Sequence, residues 1–213
     1  MQTPRTTPSR SAKRAHYDTQ SIYAILDEAL FCTISYAIDG QPWSLPTAFA
    51  RDGDRLLIHG SVGSHFIREV EKGLPVCISV TLLDGLVLAK SGFSHSVNYR
   101  SVIVFARAEK VEDYDQKVKA LALITDQLIP NRWADLRPET ASEIRKTTVL
   151  AFSLEEASAK IRTGGPNDEP EDQELPIWSG VIPLETVRRA AIPDESSQLL
   201  PLPEYLRYDT VNE

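Results

Sequence analysis

This chain is poor in the residues that would tie it to a special environment. It has two cysteines in 213 residues, Cys32 and Cys77, each inside an apolar, strand-like run, so no disulfide framework is expected. Two buried, reduced thiols fit a cytoplasmic location. No window approaches the ~20 consecutive apolar residues of a membrane-spanning helix, and no apolar segment follows the start as in a secretory leader. The four histidines, His16, His59, His65 and His95, form no pairs with cysteine at ligand spacing, which argues against a structural metal. A Walker loop, a G-x-G-x-x-G after a strand and a Ser-His-Asp order are also missing. Positive charge is scarce: the net charge of −7 excludes a broad nucleic-acid interface.

What is present belongs to a water-soluble globular chain, 42% apolar and 25% charged. Its length suits one domain, placed at 18–192. Before it lies a Pro/Ser/Thr-rich arm, 1–17, with Arg5, Arg10, Lys13 and Arg14 and no acid, expected to be loose. After it comes an irregular tail, 193–213.

Asp18 or Thr19 can cap a helix in which Ile22, Ile25, Leu26, Ala29 and Leu30 keep helical spacing. Residues 31–38 then turn to β-type composition and end at Asp39-Gly40, a hairpin signal. Strand 41–51 ends at Asp52-Gly53, a second signal, and 55–59 is a third strand. Strands 75–83 and 86–91 flank a third dipeptide of the same kind, Asp84-Gly85, and 97–111 is one long strand. Asp113 can cap a second helix that stops at Pro130-Asn131, and Pro138 marks the start of a short third. Strands 147–154 and 157–162 follow. Residues 163–176 carry five acids, three prolines and two glycines, an exposed loop, before an apolar segment, 177–183, that must dock on something. Parallel strands would need a crossover between each pair. The chain is therefore mainly β, with an antiparallel sheet closed into a small barrel and flanking helices.

The stretch 55–72 carries the first chemical signal. A short apolar strand runs into His59-Gly60-Ser61, and Ser64-His65 opens a helix whose apolar face is Phe66, Ile67 and Val70. Such a turn offers unpartnered N–H groups, close backbone approach at glycine and side-chain donors from Ser61, Ser64 and His65, all suited to a phosphate. An ordinary strand–turn–helix with a serine cap has the same sequence. On the long strand, Arg100 could supply a guanidinium to that phosphate or pair with a carboxylate.

Taken together, IHGSVGSHF, DGLVLAKSGF, SVNYRSVIVF and the later SAKIR…PIWSGVIPL resemble one family. They are similar to the flavin-nucleotide-binding branch of the pyridoxamine 5′-phosphate oxidase-like split-barrel proteins, which includes the nitroimidazole-resistance reductases. The resemblance implies a homodimer of split β-barrels with FMN at the subunit interface and a small-molecule substrate, and neither nucleic acid nor membrane as partner. By position, it puts His59, Gly60, Ser61, Ser64 and His65 at the phosphate turn and Asn98, Tyr99, Arg100 and Ser101 on the long strand. Pro46 and Thr47 would border the flavin ring, and Lys160 and Trp178 lie in family-like segments. Lys160 could equally be a snorkelling lysine and Trp178 a core aromatic. The family usually has Arg or Lys where this chain has His65, so a titratable group replaces a permanent charge. Arg100 and Ser101 are adjacent in a strand and should face opposite ways, unless a bulge joins them or one contributes only backbone. The function implied is an FMN-dependent oxidoreductase taking hydride from a reduced nicotinamide and passing electrons to a small oxidised acceptor. The alternatives are a haem-binding member of the fold, with a histidine on the iron, and a flavin carrier or sensor without turnover. No catalytic residue is singled out.

Overall fold

A computed structural model describes residues 2–208; the last part of the expected tail, 209–213, lies outside the described residues. Ten strands and four α-helices make up the fold: β1 (Ala15–His16), α1 (Thr19–Glu28), β2 (Phe31–Ile38), β3 (Gln41–Ala48), β4 (Ala50–Asp52), β5 (Arg55–Ser61), α2 (His65–Val70), β6 (Pro75–Leu88), β7 (Ser96–Val111), α3 (Tyr114–Leu128), α4 (Ala141–Arg145), β8 (Thr147–Ser153), β9 (Ala157–Arg162) and β10 (Gly180–Pro183). Every ladder is antiparallel, and the main path runs β3-β2-β6-β7-β8-β5-β4. β10 adds to β6, while β9 lies between β7 and β1. The expected closure is absent. β3 and β4 are the two ends of the path and no ladder joins them among the described residues, so the barrel is split. No described helix is long and apolar enough to cross a membrane.

Local chemistry accounts for most of the elements. Asp18 accepts from the Ser21 N–H and caps α1, whose Ile22, Ile25 and Leu26 are buried in the barrel core. Burying each of these contributes roughly 1.5–3 kcal/mol, which holds a ten-residue helix that would be marginal alone. Asp39 and Gly40 both have positive φ, 50° and 79°, as a type I′ hairpin requires. β3 is an edge strand, which explains its tolerance of Pro42 and Pro46. The core centres on Ile34, Phe49, Leu56, Ile58, Ile78, Val102, Val104, Leu150 and Phe152, all fully enclosed. A smaller cluster beneath α3 holds Leu57, Val111, Ala120, Ile124 and Val149.

Three expectations need correction. Asp84-Gly85 is not a hairpin: β6 runs straight through it, with a register irregularity between Leu83 and Gly85, and the chain reverses after Leu88. Glycine is needed there because β10 crosses it, and a Cβ would meet the Ile182 carbonyl oxygen and the Val181 side chain at 3.1 Å. The short helix begins at Thr140 rather than Pro138, because Thr140 and Glu143 cap each other's backbone reciprocally. Finally, the arm before α1 is laid along the barrel. Arg5 pairs with Glu156 and covers the Phe105 ring, Thr6 is buried, and β1 extends the sheet beside β9.

Candidate functional site

The turn at the end of β5 is held by its own groups. The Val62 N–H donates to the Lys146 carbonyl at 3.0 Å, Gly63 to Ser61 Oγ at 3.2 Å and Ser64 to the Ser61 carbonyl at 2.9 Å. Ser64 Oγ caps α2 by accepting from Ile67. Three N–H groups expected to face a phosphate are thus engaged, two within the turn and one by the residue before β8. Gly60 is required by Ile67, whose side chain stands 2.7 Å from where a Cβ would be. The His65 ring lies 6.1 Å from Trp43 on β3, and Tyr36 stacks between Trp43 and Phe66 at 6.5 and 5.6 Å. Pro46 and Thr47 follow on the same edge strand, opposite Thr33 and Cys32. His59 is on the surface, yet the surrounding protein desolvates it and holds its pKa below the ordinary histidine value. At neutral pH its imidazole is uncharged.

A second group gathers where β6, β7 and β9 meet. Arg100 shares the inner face of β7 with Val102 and Val104, and its guanidinium is fully committed. It pairs with Glu28 at the end of α1, and with Asp84 through Nε at 2.9 Å and Nη2 at 2.7 Å. The bonds to Glu28 and Asp84 push its pKa up, and Arg100 in turn holds Glu28 below the ordinary carboxylate value. Ser101 takes the other face and donates to the Lys160 carbonyl at 3.3 Å, so no bulge brings the two side chains together. Asn98 is buried, donating to the Gly164 carbonyl at 3.1 Å and accepting from Arg162. Tyr99 is opposite Arg162, and Lys160 is opposite Ser101. Trp178, 68% exposed, lies over Gly180, where a Cβ would come within 2.8 Å of the indole.

Arg162 is the residue that sequence reasoning missed. At 8% exposed, it is the one charged side chain buried among the described residues. Besides Asn98 it donates only to the carbonyls of Gly164, at 3.2 Å, and Gly165, at 3.1 Å. The signal was present in the sequence as an arginine just before Gly164-Gly165, but its burial depends on that loop folding back.

The turn at 59–65 and the β7 group are far apart in one chain, whereas Pro46, through Thr33, Ser79 and Ile103, is only three ladders from β7. Register places His59 opposite Val149 and Val149 opposite Val111, ten positions along β7 from Ser101. At about 3.3 Å per residue that is roughly 33 Å along the strand. The surface concavities of about 290 and 250 Å³, beside Asp52 and α3 and beside Tyr17 and Leu154, include none of the expected site residues. The described chain thus holds the expected site residues in separate groups.

Comparison with solved structures finds close overall likeness. The flavocytochrome Anf3 from Azotobacter vinelandii is 38% identical, with a TM-score of 0.90 over 96% of this chain and 95% of that one. The FAD and heme binding protein from Mycobacterium smegmatis is 36% identical, with a TM-score of 0.86 over 90% of this chain and 95% of that one. A candidate 5-nitroimidazole antibiotic resistance protein from Bacteroides thetaiotaomicron shares the fold, at 22% identity and a TM-score of 0.58 over 69% of this chain and 86% of that one. No curated protein sequence matches. The family profile described as pyridoxamine 5′-phosphate oxidase matches residues 18–161, which takes in α1 through the penultimate residue of β9. With that match and these likenesses, the chain belongs to the pyridoxamine 5′-phosphate oxidase-like, flavin-binding split-barrel family.

Proposed function

We propose that this chain is a flavin-dependent redox protein that also carries haem, and that it works as a homodimer. The observation that carries the reading is likeness over almost the whole chain to a flavocytochrome and to an FAD- and haem-binding protein, both above 35% identity. Bound flavin supplies hydride and single-electron chemistry that no side chain here can. The expected reaction takes hydride from a reduced nicotinamide and delivers electrons to a small oxidised acceptor. FMN is the smaller candidate flavin, and FAD is favoured by the FAD-binding relative from Mycobacterium smegmatis.

The separation of the expected residues into two groups supports the homodimer. One copy's turn at 59–65, with Pro46 and Thr47, would meet the partner copy's strand 98–101, Lys160 and Trp178. The faces in question are apolar and exposed: Trp43 and Leu45 on one, Leu86, Trp178 and Ile182 on the other. A second copy is the commonest cover for such surfaces.

For haem, a neutral imidazole is the form that binds iron, and His59 is the histidine held in that form by its surroundings. The test is the absorbance spectrum of freshly purified protein. A two-band flavin spectrum with an intense Soret band is expected, and His59→Ala should lose the Soret band. A Soret band unchanged in His59→Ala moves the ligand elsewhere. A spectrum with neither chromophore after reconstitution ends the redox reading.

A further inference from the structure

The basic side chains divide sharply by partner. Arg5, Arg51, Arg55, Arg100 and Arg137 each have a carboxylate. Arg162, the buried one, has none: its contacts are one amide oxygen and two carbonyl oxygens, all neutral. A buried guanidinium without a counter-ion is costly to maintain, so natural proteins usually pair it. Its nearest charges make matters worse. Burial pushes the Arg162 pKa down, and the positive charge of Arg14 pushes it further, with only the Tyr99 hydroxyl acting in the other direction.

Topology explains why these charges converge. β1 lies beside β9 with Ala15 opposite Lys160, which sets Arg14 at the rung next to Lys160 on the side of Arg162. Across β9, β7 sets Ser101 opposite Lys160 and Tyr99 opposite Arg162. Arg162, Lys160 and the hydroxyls of Tyr99 and Ser101 therefore share adjacent rungs of β9 and β7, and Arg14, in the single turn just before β1, is close enough for its charge to act on Arg162. Among the described residues no carboxylate pairs with Arg14, Lys160 or Arg162. Beside them Gly164 and Gly165 are open, with no atom within 4 Å of where a Cβ would stand.

We infer that Arg14, Lys160 and Arg162 form a binding site for a phosphoryl dianion, with Tyr99 as an additional donor. Three cations exceed what a single carboxylate would balance, and planar guanidinium groups match the oxygens of a phosphoryl group. The inference deepens the redox reading and rests on it for Tyr99 and Lys160, which belong to both; pyrophosphate tests it separately, since a phosphoryl anion would bind here whether or not a flavin carries it. It also supplies what the expected phosphate site lacks, because Arg100 is already neutralised by Glu28 and Asp84 and the N–H groups of Val62, Gly63 and Ser64 already have acceptors.

The experiment uses the full chain and inorganic pyrophosphate as the probe, followed by calorimetry and by the rise in melting temperature. Arg14→Gln and Lys160→Gln change half-exposed side chains and should fold normally, yet each should weaken pyrophosphate by about tenfold or more, as loss of a charge-assisted contact does. Arg162→Gln should do the same, and Arg68→Gln, an exposed arginine on α2, should leave binding unchanged. Wild-type affinity in both Arg14→Gln and Lys160→Gln overturns the site, as does an equal loss in Arg68→Gln. Two further arms identify the natural source. If saturating FAD or FMN excludes pyrophosphate, the phosphoryl group is the flavin's own, whereas simultaneous binding assigns the site to a separate phosphorylated ligand.

Discussion

Arg100 and Arg162 sit one rung apart on facing strands, since Arg100 pairs with Ile161 and Tyr99 with Arg162. Their surroundings are opposite. Arg100 keeps 29% of its side chain exposed and is held by two carboxylates, whereas Arg162 is buried and is held by three neutral oxygens. The first is a structural clamp, fastening the end of α1 to the β6 irregularity at Asp84. The second carries a charge that the chain itself does not balance. The difference teaches that an arginine in a family-like segment is not by that fact the anion binder. The free charge decides, and here it is on β9 rather than β7.

Removing each arginine should separate the two roles. Arg162→Leu leaves Asn98 Oδ1 and the Gly165 carbonyl without a donor, while the Gly164 carbonyl still accepts from Asn98. Gly165 is exposed, so Asn98 Oδ1 is the buried acceptor left over, and such a group costs about 1–3 kcal/mol, the loss expected in urea unfolding. Arg100→Ala breaks partly exposed pairs and should cost about 1 kcal/mol. If Arg100→Ala proves the more damaging, the division between clamp and free charge is wrong.

Acid should sharpen the contrast further. Hydrogen bonding to Arg100 lowers the Glu28 pKa in the folded protein. A carboxylate depressed on folding contributes stability that is fully present above its unfolded pKa, about 4.3, and is lost as pH falls through its folded value. The penalty for Arg100→Ala should therefore shrink as the pH is lowered from about 7 to below about 4. Arg162 has no carboxylate partner, so the penalty for Arg162→Leu should hold constant over that range. Paired urea titrations at the two pH values check this, and parallel behaviour of the two variants would place a carboxylate near Arg162 after all.

Much of the scaffold was legible because it rests on local chemistry. Asp18, Asp113 and the Asp39-Gly40 turn act within a few residues of themselves, and the antiparallel barrel followed from turn signals without crossovers. Asp84-Gly85 was misread because its glycine answers to β10, a strand from the far end of the chain. Arg100 was singled out from its place on the long strand, as a phosphate or carboxylate partner, and Asn98 through resemblance. Their partners Arg162, Glu28 and Asp84 come from three separate elements, and no spacing rule reveals such a meeting. Arg162 lay hidden for the same reason: it is buried only because Gly164 and Gly165 turn their carbonyls back onto it.

The smallest change should be the most informative. Asn98→Asp keeps the shape of the side chain that accepts from Arg162 and turns its oxygen into half of a carboxylate, giving Arg162 the kind of partner Arg100 already has. Two effects on stability oppose each other. The new charge pair is favourable, but the substitution removes the amide donor that bonds the Gly164 carbonyl at 3.1 Å and sets a second oxygen against it. That carbonyl still accepts from Arg162 at 3.2 Å, so no acceptor is orphaned. The net change in unfolding free energy should be under about 1 kcal/mol. Anion binding should respond far more strongly, since the cluster's positive charge falls by one at the guanidinium meant to meet the phosphoryl group. Pyrophosphate affinity is expected to drop about tenfold or more, with melting temperature in the absence of anion little changed. A variant that melts normally and still binds pyrophosphate like wild type would show that Arg162 is satisfied by neutral oxygens alone.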